Sequence, residues 1–189
     1  MHDSPQLPNR RSVRLKNFDY SQPGAYFLTI CAHNNRCLFG RVVWGEMSLN
    51  DLGELVDKCW LEIPRHFPNI ELATHVVMPN HLHGILVLRE RARRAVPLRA
   101  GITHSEMFGA PVNGSIPTIA RSFKSAASKR IRQVLKRPAM QVWQRNYYEH
   151  CIRNRDDFNK TLEYIRLNPA RWDFDPDNPH RRATTSSLP

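Results

Sequence analysis

The sequence predicts a single α+β domain built around an antiparallel sheet, and three observations support this prediction. First, 189 residues are enough for one domain with a substantial core, and 41% of them are apolar. Second, short runs rich in aromatic and β-branched residues alternate with segments whose apolar residues follow a helical period. Third, two extended runs are joined by the turn residues Pro79-Asn80, which indicates neighbouring strands of opposite direction.

The predicted elements follow one another as strand, helix, strand, strand, helix, strand and a final helix. Runs of aromatic, aliphatic and β-branched residues predict strands at 25–31, 71–78, 81–88 and 141–144. Apolar residues at the 3.6-residue period predict helices that begin after Asn50, at Pro117 and after Asn154. Val42-Val43-Trp44 adds a short hairpin, and Pro64 helps to end the first helix. This order is that of a ferredoxin-like fold, a split βαβ pair, with one added C-terminal helix.

The predicted domain covers residues 18–178. Residues 1–17 are basic, contain prolines and show little apolar pattern, so they predict a flexible basic arm. Residues 89–116 are rich in arginine, glycine and proline, which predicts a mobile loop inserted within the domain. Residues 179–189 predict a disordered tail.

The basic charge of the chain predicts a polyanionic partner, with nucleic acid first. The net charge is +11, and residues 107–148 contain eight Lys or Arg and no Asp or Glu. A solvated face is the ordinary explanation of a charge run, but one without compensating acids favours a phosphate-binding surface. The candidate DNA-contacting residues are Arg121, Lys124, Lys129, Arg130, Arg132, Arg145 and Tyr148.

Several classes of protein are disfavoured by what the sequence lacks. The four cysteines show no Cys-x-x-Cys spacing, so neither a zinc knuckle nor a disulfide framework is indicated. No Gly-x-x-x-x-Gly-Lys-Ser/Thr motif is present, so we expect no nucleotide cofactor. The first residues lack the apolar run of a signal peptide, and no stretch approaches about 18 consecutive apolar residues. We therefore expect a cytoplasmic protein with no membrane partner.

Two histidines separated by one apolar residue begin the strand at 81–88. In an extended chain, residues i and i+2 lie on one face about 6.6 Å apart, so His81 and His83 can bind one divalent ion while Leu82 points into the opposite layer. Two neutral imidazole nitrogens leave coordination positions open for substrate oxygens, which favours a catalytic site. The alternative is that both histidines stand at a strand end with their polar tips in water.

Tyr164 and Asn168 lie one turn apart on the last predicted helix. The buried stripe of this helix consists of Phe158, Leu162 and Ile165. At 100° per residue, Tyr164 lies roughly 100° to 120° from that stripe, and Asn168 falls on nearly the same side. The two side chains point together if the helix persists to the residue before Pro169; otherwise Asn168 is a helix C-cap.

The segment Met78-Pro79-Asn80-His81-Leu82-His83-Gly84 resembles the histidine-hydrophobic-histidine (HUH) motif of the single-tyrosine transposases. The similarity is to the branch called REP-associated tyrosine transposases (RAYTs), and it extends over roughly residues 18–178. Further segments match that branch in chain order: Leu38-Phe39-Gly40 with Met47-Ser48-Leu49-Asn50, Ser122-Phe123-Lys124-Ser125, Trp143 to His150, and Tyr164-Ile165-Arg166-Leu167-Asn168-Pro169.

The resemblance implies a metal-dependent single-stranded DNA endonuclease and strand transferase that cuts beside DNA hairpins. Tyr164 matches the family's nucleophile, and a 5′-phosphotyrosine link would store the bond energy for rejoining without ATP. His81 and His83 match the metal-binding pair, with Mg²⁺ or Mn²⁺ as the ion. Asn168 stands where small insertion-sequence relatives have a glutamine, which implies that it is the third ligand.

Alternatives remain for individual residues and for the whole protein. Tyr147 and Tyr148 are rival nucleophiles or stack on unpaired bases, Glu149 and His150 are substitute ligands, and His33 is a further candidate beside the site. The rival functions are a catalytically silent hairpin DNA- or RNA-binding protein and a different His-x-His metal hydrolase. The sequence is compatible with a monomer or a homodimer.

Overall fold

A computed structural model of the chain describes residues 19–90, 112 and 114–181. The predicted arm 1–17, most of the predicted loop 89–116 and the end of the predicted tail lie outside the described residues. The strands are β1 Gly24–Cys31, β2 Gly40–Val43, β3 Glu46–Leu49, β4 Ile70–Val77, β5 His81–Leu88 and β6 Tyr148–Ile152. The α-helices are α1 Asp51–Leu61, α2 Ile63–His66, α3 Ile116–Leu135 and α4 Arg155–Leu167, and 3₁₀ helices span His33–Asn35 and Pro169–Phe174.

The main sheet has four strands in the order β4-β5-β1-β6, and β2 and β3 form a separate hairpin. β5 is antiparallel to β1 and to β4, so β1 and β4 run in the same direction without touching. β6 pairs antiparallel with the other edge of β1. A split βαβ unit of this kind defines the ferredoxin-like topology. The predicted fold class is therefore confirmed.

Side chains alternate across the sheet, which gives it two different faces. One face carries the larger core and is covered by α1 and α3, which contact each other. Its fully buried members include Tyr26, Leu28, Trp60, Leu82 and Leu86. The other face carries a smaller cluster of Phe27, Ile85 and Ile165 under α4. The helix that carries Tyr164 therefore packs alone on the face opposite α1 and α3.

The predicted helix starts at Asn50 and Asn154 are confirmed by their capping contacts. The Asn50 side chain accepts hydrogen bonds from the Leu52 and Gly53 amides at 3.1 and 3.0 Å. The Asn154 side chain accepts one from the Asp157 amide at 2.9 Å. These oxygens satisfy amides that have no partner within the first helical turn.

One predicted strand is wrong. Residues 141–144 do not form the last strand: they make a single bridge, between Ala32 and Trp143, because β1 has already ended there, and the edge strand is β6. The first helix ends at Leu61, three residues before Pro64, which is the second residue of α2. Proline is tolerated in a first helical turn because that turn needs no amide donor from it.

Of the described helices, α3 is the longest, with 20 residues, and so comes nearest to the length that a membrane span needs. Its exposed face carries lysine and arginine at intervals of a few residues, so it cannot present an apolar surface all round. No helix within residues 19–90 and 114–181 is both long and apolar enough to cross a bilayer.

Gly84, which follows His83 in β5, makes room for the indole of Trp60. A Cβ at position 84 would lie 2.9 Å from Trp60 Cε2 and closer still to Cζ2, and Trp60 is fully buried. We expect Gly84→Ala to lower the free energy of unfolding by about 1–3 kcal/mol, because the core cannot take the extra methyl without strain. Urea denaturation measures this, with Ser122→Ala on the exposed side of α3 as the control. An unchanged midpoint would show that the indole can move aside.

Candidate active site

His81 and His83 lie side by side at the start of β5, on the sheet face that α4 covers. Their ring centroids are 4.4 Å apart, and the two residues are 0% and 2% exposed. In the sheet, His81 is opposite Cys31 and His83 is opposite Thr29. The alternative that both histidines have their tips in water is therefore wrong.

The protonation of His81 follows from its neighbour Asn80. The Asn80 amide nitrogen donates to the backbone carbonyls of Asn35 and Asp177 at 3.1 and 2.6 Å, so its oxygen must face the other way. That oxygen is 2.8 Å from His81 Nδ1, which must therefore carry the ring proton and donate it. The other nitrogen, Nε2, is left as a buried lone pair without a hydrogen-bond partner.

His83 is held in a similar way by the strand beside it. Its Nδ1 lies 2.8 Å from Thr29 Oγ1, and its ring stacks on Phe27 with centroids 5.4 Å apart. Its Nε2 faces the hydroxyl of Tyr164 at 3.4 Å, a long hydrogen-bond distance. Both histidines thus use Nδ1 for orientation and present Nε2 toward the same space, as metal-binding histidines do.

Burial keeps both rings neutral. It lowers the pKa of His81, although the carboxylates of Asp175 and Asp177 act in the opposite direction. It lowers the pKa of His83 well below the ordinary histidine value, and the neighbouring His81 adds to this effect. Neutral imidazoles have free lone pairs, so the pair is ready to bind a cation.

Tyr164 is positioned by aromatic contacts on the same face. Its ring lies edge-on to Phe27, with centroids 6.0 Å apart, and is 5.2 Å from the ring of His83. The residue is 42% exposed, so a substrate can reach it. Burial raises the pKa of Tyr164, and the charges of Asp175 and Asp177 raise it further, so the phenol is protonated at neutral pH.

Asn168 completes the group, since the helical backbone continues through it with φ −58° and ψ −44°. Its amide nitrogen donates to Asp175 Oδ2 at 3.3 Å, and its Oδ1 is buried without a hydrogen-bond partner. The side chain lies beside both His81 and Tyr164. Sequence analysis missed Asp175, which comes from the turn after the last 3₁₀ helix and has no motif of its own.

The donor atoms of this site fit a divalent cation. His81 Nε2 and Asn168 Oδ1 are both buried acceptors without a donor, and each such group costs about 1–3 kcal/mol unless a positive charge or a proton donor satisfies it. Within residues 19–90 and 114–181, no three His, Cys, Asp or Glu side chains gather into a metal-binding group. The Asn168 amide oxygen is a buried oxygen beside His81 that could serve as a third protein ligand, and imidazole nitrogens make Mn²⁺ an acceptable ion there.

Of the other residues considered near the site, Glu149 and Tyr147 face the larger core, whereas His150 and Tyr148 share the face of Tyr164. Glu149 is opposite Leu28 in the sheet and so faces the larger core, away from the histidines. His150 contacts Asp157 at 2.9 Å, and Tyr147 packs against the larger core. Tyr148 does share the face of Tyr164: it is 44% exposed and lies 6.2 Å from the ring of Phe27.

Comparisons with known proteins find similar chains, although no family model matches this one. An uncharacterised protein of Haemophilus influenzae is 40% identical over 169 residues, which cover 89% of this chain and 93% of that protein. A second Haemophilus influenzae protein, provisionally named REP-associated tyrosine transposase, is 24% identical over 160 residues, or 82% and 76% of the two chains. A solved structure of a REP-associated tyrosine transposase bound to a REP hairpin matches with a TM-score of 0.56 and 20% identity, covering 85% of this chain and 73% of the other.

The chain is similar to REP-associated tyrosine transposases in sequence and in fold. The family resemblance seen in the sequence is thus confirmed, and so is the fold class. The chain spans most of the length of both Haemophilus relatives. This similarity does not assign roles to individual side chains, which rest on the geometry described above.

A basic cleft of about 950 Å³ lies between α3 and residues 138–145. His33, two residues beyond the end of β1, is among the residues that line it. Five of the seven predicted DNA-contacting residues line it, namely Arg121, Lys124, Lys129, Arg132 and Arg145. The other two do not: Arg130 pairs with Glu62 at 2.6 Å, and Tyr148 lies on β6.

Two of the cleft cations also shape its wall. Lys124 Nζ donates to the carbonyls of Gln144 and Arg145 at 2.6 and 2.9 Å, and Arg132 Nε donates to the carbonyl of Met140 at 2.7 Å. Both side chains therefore fasten the segment 140–145 to α3. Burial lowers the pKa of Lys124 to about 8.

The lowered pKa of Lys124 predicts a pH effect on stability. Between pH 8 and 10.5 the unfolded chain keeps the Lys124 proton and the folded chain releases it. Because the unfolded state then binds more protons, the stability of the wild type should rise with pH across this window relative to Lys124→Met. Urea denaturation at several pH values measures the difference, with Lys129→Met on the same helix as the control. Parallel curves for wild type and Lys124→Met would contradict the prediction.

Proposed function

We propose that this chain is a metal-dependent single-stranded DNA endonuclease and strand transferase that cuts beside DNA hairpins through a 5′-phosphotyrosine on Tyr164. One observation carries the proposal. The Tyr164 hydroxyl faces His83 Nε2 at 3.4 Å, and beside it lie two buried acceptors without a donor, His81 Nε2 and Asn168 Oδ1. A nucleophile next to a set of cation-binding atoms is the arrangement that phosphoryl transfer requires.

Hairpin DNA as the substrate is supported by relatives and by charge. The solved family structure is of a protein bound to a REP hairpin, and a Haemophilus influenzae relative is provisionally named for the same association. The chain has a net charge of +11, and its basic cleft lies between α3 and residues 138–145. The lysine and arginine side chains of that cleft would hold the phosphates of a hairpin backbone.

The metal site would be formed by His81, His83 and Asn168. A bound Mg²⁺ or Mn²⁺ supplies positive charge to the scissile phosphate and so stabilises the charge that develops during transfer. Asp175 holds the Asn168 amide by its nitrogen, which turns the oxygen of that amide toward the site. Asn80 and Thr29 do the same for the two imidazoles, so the ligands are oriented before any ion arrives.

In the proposed reaction, Tyr164 Oη attacks the phosphorus and the bond from phosphorus to the 3′ oxygen breaks. The electron pair of that bond stays on the 3′ oxygen, which takes a proton and leaves as a 3′ hydroxyl. The 5′ phosphate remains on Tyr164 as an ester, and a 3′ hydroxyl can reverse the step to rejoin strands. Because its pKa is raised, the phenol loses its proton during the attack rather than before it.

A covalent-adduct assay tests the proposal. The protein is mixed with labelled hairpin oligonucleotides that carry unpaired flanks, in Mg²⁺, Mn²⁺ or chelator, and resolved on a denaturing gel. We expect a metal-dependent adduct that disappears in Tyr164→Phe and in the double variant His81→Ala/His83→Ala. Tyr148→Phe is the matched control, since Tyr148 is equally exposed on the same face and should keep the adduct.

The other outcomes select the rival functions. Hairpin binding without any adduct in every metal would favour a catalytically silent binding protein. Metal-dependent cleavage without an adduct would favour a hydrolase that activates water instead of Tyr164. An adduct lost in Tyr148→Phe and kept in Tyr164→Phe would show that the nucleophile is Tyr148 and not Tyr164.

Metal affinity provides a prediction that is independent of turnover. We expect Asp175→Ala to weaken Mn²⁺ binding by about 10-fold, because the Asn168 amide is then free to turn its oxygen away. Titration of the protein with Mn²⁺, followed by electron paramagnetic resonance, measures this. Tyr164→Phe should bind Mn²⁺ as the wild type does. The control is Asp173→Ala, which removes an exposed carboxylate from the 3₁₀ helix that precedes Asp175. Unchanged affinity in a folded Asp175→Ala protein would rule out this role for Asp175.

A further inference from the structure

The tip of the β2–β3 hairpin presents a tryptophan that no part of the described structure covers. Trp44 is 98% exposed, whereas the other three tryptophans of the chain, Trp60, Trp143 and Trp172, are 0%, 8% and 9% exposed. An indole is large and mostly apolar, so complete exposure leaves its whole surface available to a partner.

The backbone at Trp44 is also in a conformation that a bulky residue rarely adopts. Val43 pairs with Glu46, so the turn has two residues, and both have positive φ: 53° at Trp44 and 79° at Gly45. This is a type I′ turn, whose first position favours asparagine, aspartate or glycine. Trp44 therefore occupies a strained position without packing against any of the described residues, which points to a role outside folding.

The hairpin places Trp44 beside the candidate active site. Both of its strands contact the 3₁₀ helix Pro169–Phe174, and a Cβ at Gly45 would lie 3.5 Å from Ala170 Cα. Ala170 is two residues from Asn168, and Trp172 of the same helix lies against His81 with ring centroids 6.0 Å apart. The hairpin that carries Trp44 thus packs on the same 3₁₀ helix whose Trp172 contacts His81.

We propose that Trp44 is a stacking platform for an unpaired base of the DNA strand bound at the active site. The inference rests on the proposed function, which brings unpaired nucleotides to this end of the sheet. A base can stack on one exposed aromatic ring without further contacts. A stable protein partner instead buries about 800 Å² of surface on each side, and an indole supplies at most about 250 Å². A single rigid aromatic ring in a basic protein therefore fits a base better than a second protein.

Trp44→Asn gives a sharp test because it separates binding from folding. The change creates Asn-Gly, a preferred pair for a type I′ turn, so we expect Tm to rise by about 1–4 °C. We expect the same variant to bind a hairpin with unpaired flanks about 5- to 100-fold more weakly, since a stacking contact is lost. Trp44→Phe should keep most of the affinity, and a blunt hairpin without flanks should bind all three proteins alike.

Fluorescence quenching identifies the contact directly. Iodide should quench Trp44 strongly in the free protein, because the other three tryptophans are buried. Addition of the flanked hairpin should protect it, addition of the blunt hairpin should not, and Trp44→Phe supplies the background. Equal affinity of wild type and Trp44→Asn for the flanked hairpin would overturn the inference while leaving the proposed function standing. If protection of Trp44 from iodide increases with protein concentration in the absence of DNA, the partner of Trp44 is a second copy of the chain and not a base. If the wild type binds neither hairpin, the proposed function falls and this inference falls with it.

Discussion

The register between β1 and β5 is the constraint on which the rest of the site depends. It sets Thr29 opposite His83 and puts both histidines on the face away from α1 and α3. Side chains alternate along a strand, so a slip of one residue would move both imidazoles into the larger core and Leu82 out of it. The apolar residues of that core therefore hold the histidine pair in place. Trp60, which fills the space over Gly84, makes the register stricter still.

The sequence predicts most of this architecture because apolar periodicity reports burial. It misplaces the last strand, because Val142 and Trp143 are buried like strand residues but lie past the end of β1. β6 is an edge strand whose residues Tyr148 to Ile152 mix polar and apolar types, so its pattern is weak. In general, periodicity tells which side chains are buried, whereas pairing depends on where the neighbouring strand ends.

The candidate site shows the same division between local and distant information. His81, His83, Tyr164 and Asn168 belong to local patterns and are brought together as predicted. Thr29 and Asp175 orient them, but threonine is ordinary in a strand and Asp175 approaches only after the chain turns back. Charge patterns have a similar limit: they find the basic face but not that Arg130 is paired with Glu62 or that Lys124 is bonded to backbone carbonyls.

Asn80 joins three distant parts of the chain, since its amide bonds to the carbonyls of Asn35 and Asp177 and to the ring of His81. This has a consequence for the order in which the protein is made. A ribosome that has synthesised the sheet up to β5 has produced both histidines, but Tyr164 and the turn that contacts Asn80 come later. On the proposed chemistry, a growing chain cannot attach to DNA until Tyr164 and that turn have been synthesised. A message that stops between β5 and Tyr164 would yield a fragment that keeps the imidazoles and lacks the nucleophile.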